Sequence, residues 1–125
     1  MVKIMKIEKL IYNDVQIVHV ISEEVLITDT QSATDLMMTV AYETGIKNIV
    51  MAKELFAEKF FVLSSGLAEE VLQKFVNYRF RLAVYGDYSK YTSKPLKDFI
   101  YESNNGRDVF FMSGLKEAVE KIGSL

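Results

Sequence analysis

Apolar residues change their spacing along the chain near Thr30, and the change separates a strand-like segment from helical ones. Lys3 to Tyr12 and Val15 to Ile21 are rich in β-branched residues, which predicts two strands. Asn13-Asp14 between them is typical of a tight turn, so we predict an N-terminal hairpin. Val25 to Ile27 is a candidate for a third, short strand.

A helical period begins beyond the hairpin. Apolar residues recur at spacings of three and four at Ala33, Leu36, Met37, Val40 and Ala41, which predicts one face of an amphipathic helix. Thr28 with Gln31 would make a capping box at its start, and Asp29 or Thr30 are alternative caps. Gly45 is a natural stop for this helix.

Three later runs are apolar at almost every position, which is typical of strands covered on both faces. They are Asn48 to Ala52, Leu82 to Gly86 and Val109 to Met112. Helical faces lie between and after them, at Ala68 to Val76, Leu96 to Ile100 and Leu115 to Ile122. Pro95 would open the second of these helices, and Gly123 would end the third. Strands alternating with helices predict right-handed crossovers and a mostly parallel sheet.

The predicted fold class is therefore α/β, with a mixed, mostly parallel sheet of four to five strands, an N-terminal hairpin and about four helices. Residues 1–125 should form a single domain, since a chain of this length is near the usual size of one domain. Glu54 to Leu63 is hard to assign, but its three phenylalanines should be buried on a short helical turn. Expected core residues are Leu36, Val50, Leu72, Val84 and Phe110.

Composition and charge exclude several classes of function. The chain has no cysteine and one histidine, so it offers no thiolate nucleophile, no disulfide and no transition-metal site. The net charge is −2, and the nearest basic set reads as a solvated rim and not as a nucleic-acid footprint: Arg79, Arg81, Lys90, Lys94 and Lys97. No apolar run has the length of a membrane span. We expect a cytoplasmic protein without a cofactor, a nucleic-acid partner or a membrane partner.

The stretch Leu63-Ser64-Ser65-Gly66-Leu67 resembles the Asp-Ser-Ser-Gly-Leu signature of STAS domains, the family of bacterial anti-sigma-factor antagonists and sulfate-transporter tails. The resemblance implies a STAS-like fold in which Ser64 is the phosphoacceptor for a partner kinase and the following helix docks on that kinase. Leu63 replaces the acidic residue of the signature. The alternative interpretation is that Ser64 or Ser65 caps the helix, with Gly66 permitting the turn.

Over its whole length the chain is more similar to a small bacterial family known as domain of unknown function 4180. The similar stretches are Ile27-Thr28-Asp29, Ser64 to Leu72, and Gly86 to Ser93. This resemblance implies a fold and no activity.

A polar loop from Asp87 to Lys94 follows a predicted buried strand, so it should lie where ligands of open α/β folds bind. Asp29 and Ser64 could converge on the same edge of the sheet. The members that could hold a phosphate or carboxylate ligand are Asp87, Ser89, Lys90 and Thr92. Lys90 with Tyr88 and Tyr91 would also suit a protein-contact rim, and the loop could simply cap the next helix through Ser93.

Two functional hypotheses follow. The first is a non-enzymatic regulatory or protein-interaction module, marked by Ser64, Ser65 and Gly66. The second is a binder of a small anionic ligand, or an enzyme, that uses the polar loop and Asp29. We assign no catalytic residue, because a triad of Ser64, His19 and Asp29 lacks the nucleophile elbow around the serine and a lone histidine in a strand is typically structural. A protein partner and a homodimer are expected, the latter because Tyr12, Tyr88, Tyr91 and Tyr101 exceed the available core.

Overall fold

The N-terminal hairpin is present in a computed structural model that describes residues 5–125; the predicted start of its first strand, at Lys3 and Ile4, lies outside that range. Strand β1 is Lys6–Tyr12 and strand β2 is Val15–Ile21, paired antiparallel. Asn13 and Asp14 both have positive φ, 51° and 65°, as a two-residue hairpin turn requires.

Three further strands complete a five-stranded sheet in the order β1-β2-β3-β4-β5. They are β3 (Asn48–Ala52), β4 (Arg81–Tyr85) and β5 (Val109–Met112). Strands β2 to β5 are parallel to one another, which together with the antiparallel hairpin confirms the mixed, mostly parallel sheet. Strand β4 begins one residue earlier than its apolar run.

Within residues 5–125, four helices cover the sheet, which confirms the predicted number. They are α1 (Thr30–Thr44), α2 (Leu67–Asn77), α3 (Lys94–Asn104) and α4 (Leu115–Gly123). Helices α1, α2 and α3 pack on one face of the sheet, against residues such as Val20 and Val84, and α4 packs on the other, against Ile17 and Phe110. Because β2 to β5 are parallel, their carboxyl ends meet at one edge of the sheet and their amino ends at the opposite edge.

Three short 3₁₀ turns fill the connection between β3 and α2, at Lys53–Leu55, Glu58–Phe61 and Leu63–Ser65. The phenylalanines at 56, 60 and 61 are buried here and their rings contact one another. The expectation of buried aromatics on a short helical turn is therefore confirmed.

The start of α1 corrects one prediction and confirms its alternative. Asp29, and not Thr28 with Gln31, is the cap: its carboxylate accepts a hydrogen bond from the Ser32 backbone N–H, and the Ser32 hydroxyl oxygen accepts one from the Asp29 N–H. Serine thus takes the place that Glu or Gln has in the usual capping box. Gly45 ends the helix in the left-handed conformation, as expected.

Two other predictions were wrong, and a third was right for a different reason. Val25 to Ile27 is not a strand, because only Ile27 pairs, in an isolated bridge to Phe56. Leu72 is only partly buried at the margin of the core. Gly123 is the last residue of α4, as predicted, although its backbone is not left-handed. A side chain at position 123 would collide with the ring of Tyr12, so close packing explains this glycine.

Candidate functional site

Ser64 lies on the rim of a surface depression of about 470 Å³ at the carboxyl edge of the sheet. The turn before α2 and the starts of α2 and α3 form its walls. We call it the Ser64 depression, and its lining residues are Phe61, Val62, Leu63, Ser64, Glu69, Ser93 and Pro95. The walls combine apolar surface with hydroxyl groups and one carboxylate.

The two serines of the motif have different roles. The Ser65 hydroxyl oxygen accepts a hydrogen bond from the Leu67 N–H at 3.3 Å and donates to the Lys59 carbonyl at 2.7 Å. Gly66 joins this turn to α2 with φ of 80°, which a glycine adopts without strain. Ser64 is exposed, and its hydroxyl makes no hydrogen bond to any residue from 5 to 125. Ser65 therefore supports the start of the helix, and Ser64 is free to react or bind.

The polar loop from Asp87 to Thr92 is anchored by its own side chains. The Asp87 carboxylate accepts a hydrogen bond from the Ser89 N–H at 2.9 Å, which holds the pKa of that carboxyl below its usual range. The Tyr88 hydroxyl donates to the Val84 carbonyl at 2.8 Å, and burial raises the pKa of Tyr88. Thr92 is exposed, and the next residue, Ser93, caps α3.

Tyr91 connects this loop to the Ser64 depression. Its ring stacks on Phe61 with centroids 5.2 Å apart, and its hydroxyl lies 3.2 Å from the Glu58 carboxylate. The ammonium groups of Lys53 and Lys90 lie 5.3 and 5.1 Å from the centre of the same ring. Two motifs separated in sequence are thus brought together through a phenylalanine that the sequence pattern predicts only as a buried residue.

Both lysines beside Tyr91 have carboxylate partners. Lys90 lies 3.5 Å from Glu58, and Lys53 lies 3.3 Å from Glu54. Asp29 is engaged as the cap of α1, and the contacts that join the loop to the Ser64 depression do not involve it. The arrangement therefore joins Ser64, Tyr91 and Lys90 on one surface and leaves Asp29 in a structural role.

A second polar cluster lies on the α4 face and was missed as a group by sequence reasoning. His19 is 7% exposed, and its Nε2 atom lies 2.7 Å from the Tyr85 hydroxyl. Its Nδ1 atom faces the Glu8 carboxylate at 3.6 Å. Burial lowers the pKa of His19, and the neighbouring Glu8 opposes that effect. Ser64 belongs to the opposite face of the sheet, so the triad with His19 does not form.

Residues 5–125 contain no group of three or more histidine or acidic side chains placed to hold a metal ion. Over the same range, no helix is both long enough and apolar enough to cross a membrane. Compared with known families, residues 12–122 match the family described as Domain of unknown function (DUF4180). No curated protein matches the chain at a significant level.

Proposed function

The chain belongs to the family described as Domain of unknown function (DUF4180), and from that premise we propose a non-enzymatic regulatory module that binds a protein partner through the Ser64 depression. One observation carries this proposal. Ser64 is exposed and its hydroxyl forms no hydrogen bond with residues 5–125, whereas the neighbouring Ser65 already supports the start of α2, so the Ser64 hydroxyl is not needed for folding. The module would act as one cytoplasmic domain with a STAS-like fold.

The walls of the depression have the character of a protein contact surface. Val62 is 52% exposed at its rim, and Pro95 is also exposed. Tyr91 and Lys90 extend the surface beyond Phe61, and tyrosine is enriched where proteins meet. A partner that inserts an apolar side chain would cover Val62 and find polar groups at Ser64 and Ser93.

Phosphorylation of Ser64 would change the charge of this surface. A phosphate adds about −1.5 to −2 charges and three acceptor oxygens. The start of α2 would attract it, whereas Glu69, which lines the same depression, would repel it. Because these two effects oppose each other within the module, we expect the main consequence in partner binding and little change in stability.

The alternative function, a binder of small anions at the polar loop, has weaker support. Lys53 and Lys90 are its cations, and both are already paired with carboxylates. An anionic ligand would have to displace Glu54 or Glu58 before gaining either charge, and the hydrogen bonds of Asp87 and Tyr88 serve the loop itself.

Site-specific photocrosslinking in the source cell tests the proposal. A photoreactive residue at Val62 should capture one discrete protein, whereas the same residue at the exposed Lys116 of α4, on the opposite face, should not. The captured protein is identified by mass spectrometry, purified, and titrated with wild type, Ser64→Ala and Ser64→Glu. We expect Ser64→Glu to weaken or strengthen binding severalfold. Equal capture from both positions, or equal affinity for all three chains, would refute the assignment of this surface.

A further inference from the structure

All three arginines of the chain lie at the amino edge of the sheet, opposite to Ser64. Arg79 lies two residues before Arg81, which begins β4, and Arg107 lies two residues before β5. Because β4 and β5 are parallel neighbours, the two segments run side by side. The Leu82 N–H donates a hydrogen bond to the Asp108 carbonyl at 2.9 Å and joins them.

The arginines differ from the lysines in their partners. In the described part of the chain, carboxylates lie within 4 Å of four lysines, which are Lys6, Lys53, Lys90 and Lys94. None of the three arginines has an ion pair or a side-chain hydrogen bond with residues 5–125. Carboxylates are not scarce, since the chain has 17 acidic residues against 15 basic ones. Asp108 is next to Arg107 and forms no ion pair with it.

Arg81 and Arg107 line the same depression, of about 300 Å³, with Asn105, Gly106 and Leu125. The backbone around it is fixed on both sides. The Gly106 N–H donates to the Ser103 carbonyl at 3.0 Å, and Arg81 donates its backbone N–H to the Lys47 carbonyl at 2.9 Å. The Asn105 side-chain amide donates a hydrogen bond to the Tyr101 carbonyl. The charged donors among the lining residues are the guanidinium groups of Arg81 and Arg107.

We propose that Arg81 and Arg107 form a binding site for a phosphate group, either inorganic phosphate or the phosphate of a small organic monoester. Guanidinium groups present planar, paired donors that match phosphate oxygens, and they keep their charge at every physiological pH. Two of them near the starts of adjacent strands can share one dianion, whereas a carboxylate offers only two oxygens and is satisfied by a single arginine. The missing carboxylate partners leave both side chains available.

The test is a titration of the full chain followed through backbone amide resonances, in a phosphate-free buffer of about 0.15 M ionic strength, at which charges outside the depression are largely screened. Inorganic phosphate and phenyl phosphate are the two phosphate probes, and acetate is the carboxylate control. We expect saturable shifts at Gly106 and Arg107 with at least one phosphate probe and much weaker ones with acetate. The tighter of the two phosphate probes identifies the source of the ligand.

Matched variants assign the shifts to the arginines. Arg81→Gln and Arg107→Gln should each weaken phosphate binding about tenfold or more, the loss expected for a charge-assisted hydrogen bond. Arg79→Gln removes the same charge outside the lining of the depression and should change the affinity less than about twofold, because exposed charges are screened. No saturation with either phosphate probe, equal binding of acetate, or equal losses in all three variants would overturn the site.

Discussion

Among residues 5–125, His19 is the one polar or charged residue that is buried, with 7% of its surface exposed. Its burial lowers its pKa from the ordinary value of 6.5. The unfolded chain therefore takes up the proton more readily than the folded one. The stability gained by keeping His19 neutral is fully present above about pH 6.5 and is lost as the pH falls toward the folded pKa.

We predict that the free energy of unfolding decreases between about pH 7.5 and about pH 5.5, a range above most carboxyl titrations. Urea unfolding at several pH values measures this, and His19→Gln should flatten the dependence. His19 is the only histidine, so its proton resonances report the folded pKa directly. A folded pKa at or above 6.5 would contradict the prediction.

Ser64 and Ser65 offer a matched pair for separating folding from binding. Ser65→Ala removes the acceptor for the Leu67 N–H and the donor to the Lys59 carbonyl, so it should cost about 0.5 to 2 kcal/mol of stability. Ser64→Ala removes no hydrogen bond and should stay within about 0.5 kcal/mol of wild type. Chemical denaturation compares the stabilities of the two variants. A larger loss of stability for Ser64→Ala would show that Ser64, and not Ser65, supports the start of α2.

The residues of the candidate sites were only partly predictable. The Ser64 motif and the polar loop are visible because their polar residues interrupt apolar runs. The partners of His19 are not, because Tyr85 is 66 positions away and comes within reach of His19 only through the register of β2, β3 and β4. Histidine between two valines looks the same whether or not a tyrosine faces it.

At the scale of elements, the outer edge of β5 is covered by a side chain of α3. The Asn104 amide oxygen accepts a hydrogen bond from the Phe111 N–H at 2.7 Å, and its amide nitrogen donates to the Phe111 carbonyl at 3.1 Å. The side chain thus occupies the groups that a further strand would use. We predict that Asn104→Ala costs about 1 to 3 kcal/mol, the penalty for unsatisfied buried groups.

Asn104→Asp is the control for this pair of hydrogen bonds. Its carboxylate still accepts from the Phe111 N–H but cannot donate to the Phe111 carbonyl, so it should lie between wild type and Asn104→Ala. Thermal or urea unfolding measures the order of the three chains. If Asn104→Ala and wild type unfold at the same denaturant concentration, the two hydrogen bonds between Asn104 and Phe111 contribute nothing to stability.

Helix α2 provides a second test, because its apolar face is wider than its buried stripe. Phe75 is fully buried, whereas Leu72 is partly buried. Phe75→Ala should cost about 3 to 5 kcal/mol. Leu72→Ala should cost less than the roughly 2 kcal/mol that marks a closely packed leucine. Denaturation midpoints of the two variants check this order, and the reverse order would mean that the face of α2 is wrongly assigned.

The elements themselves were largely predictable, because apolar runs and three- to four-residue spacings are local properties of the sequence. Errors arose where a distant segment decides the outcome. Val25 to Ile27 has strand composition, yet only Ile27 forms a β-bridge, to Phe56, and the N–H groups of Leu26 and Ile27 both donate to the Leu55 carbonyl of a 3₁₀ turn. Gly123 does end α4, as predicted, but the glycine is explained by close packing against the Tyr12 ring of the hairpin.

At the scale of the molecule, the aromatic residues that suggested a homodimer are mostly accommodated within the fold. Tyr88 and Tyr91 pack on Phe61, and Tyr12 packs on α4. Tyr101 remains 71% exposed. The homodimer therefore stays a prediction, and the surface best suited to it is not formed by these tyrosines.

The two edge strands of the sheet, β1 and β5, differ in how well they are covered. This difference indicates where a second copy of the chain would bind. Asn104 covers β5, whereas β1 pairs only with β2 in the described part of the chain, and its Ile11 is 70% exposed. An open edge strand pairs readily with a second edge strand.

We predict a dimer at concentrations on the order of tens of micromolar, joined at β1 and measured by light scattering. Ile11→Lys should shift the mass toward the monomer through charge repulsion, and Tyr101→Ser should leave it unchanged. A monomeric wild type would contradict the dimer, and a dimer unaffected by Ile11→Lys would place the contact elsewhere.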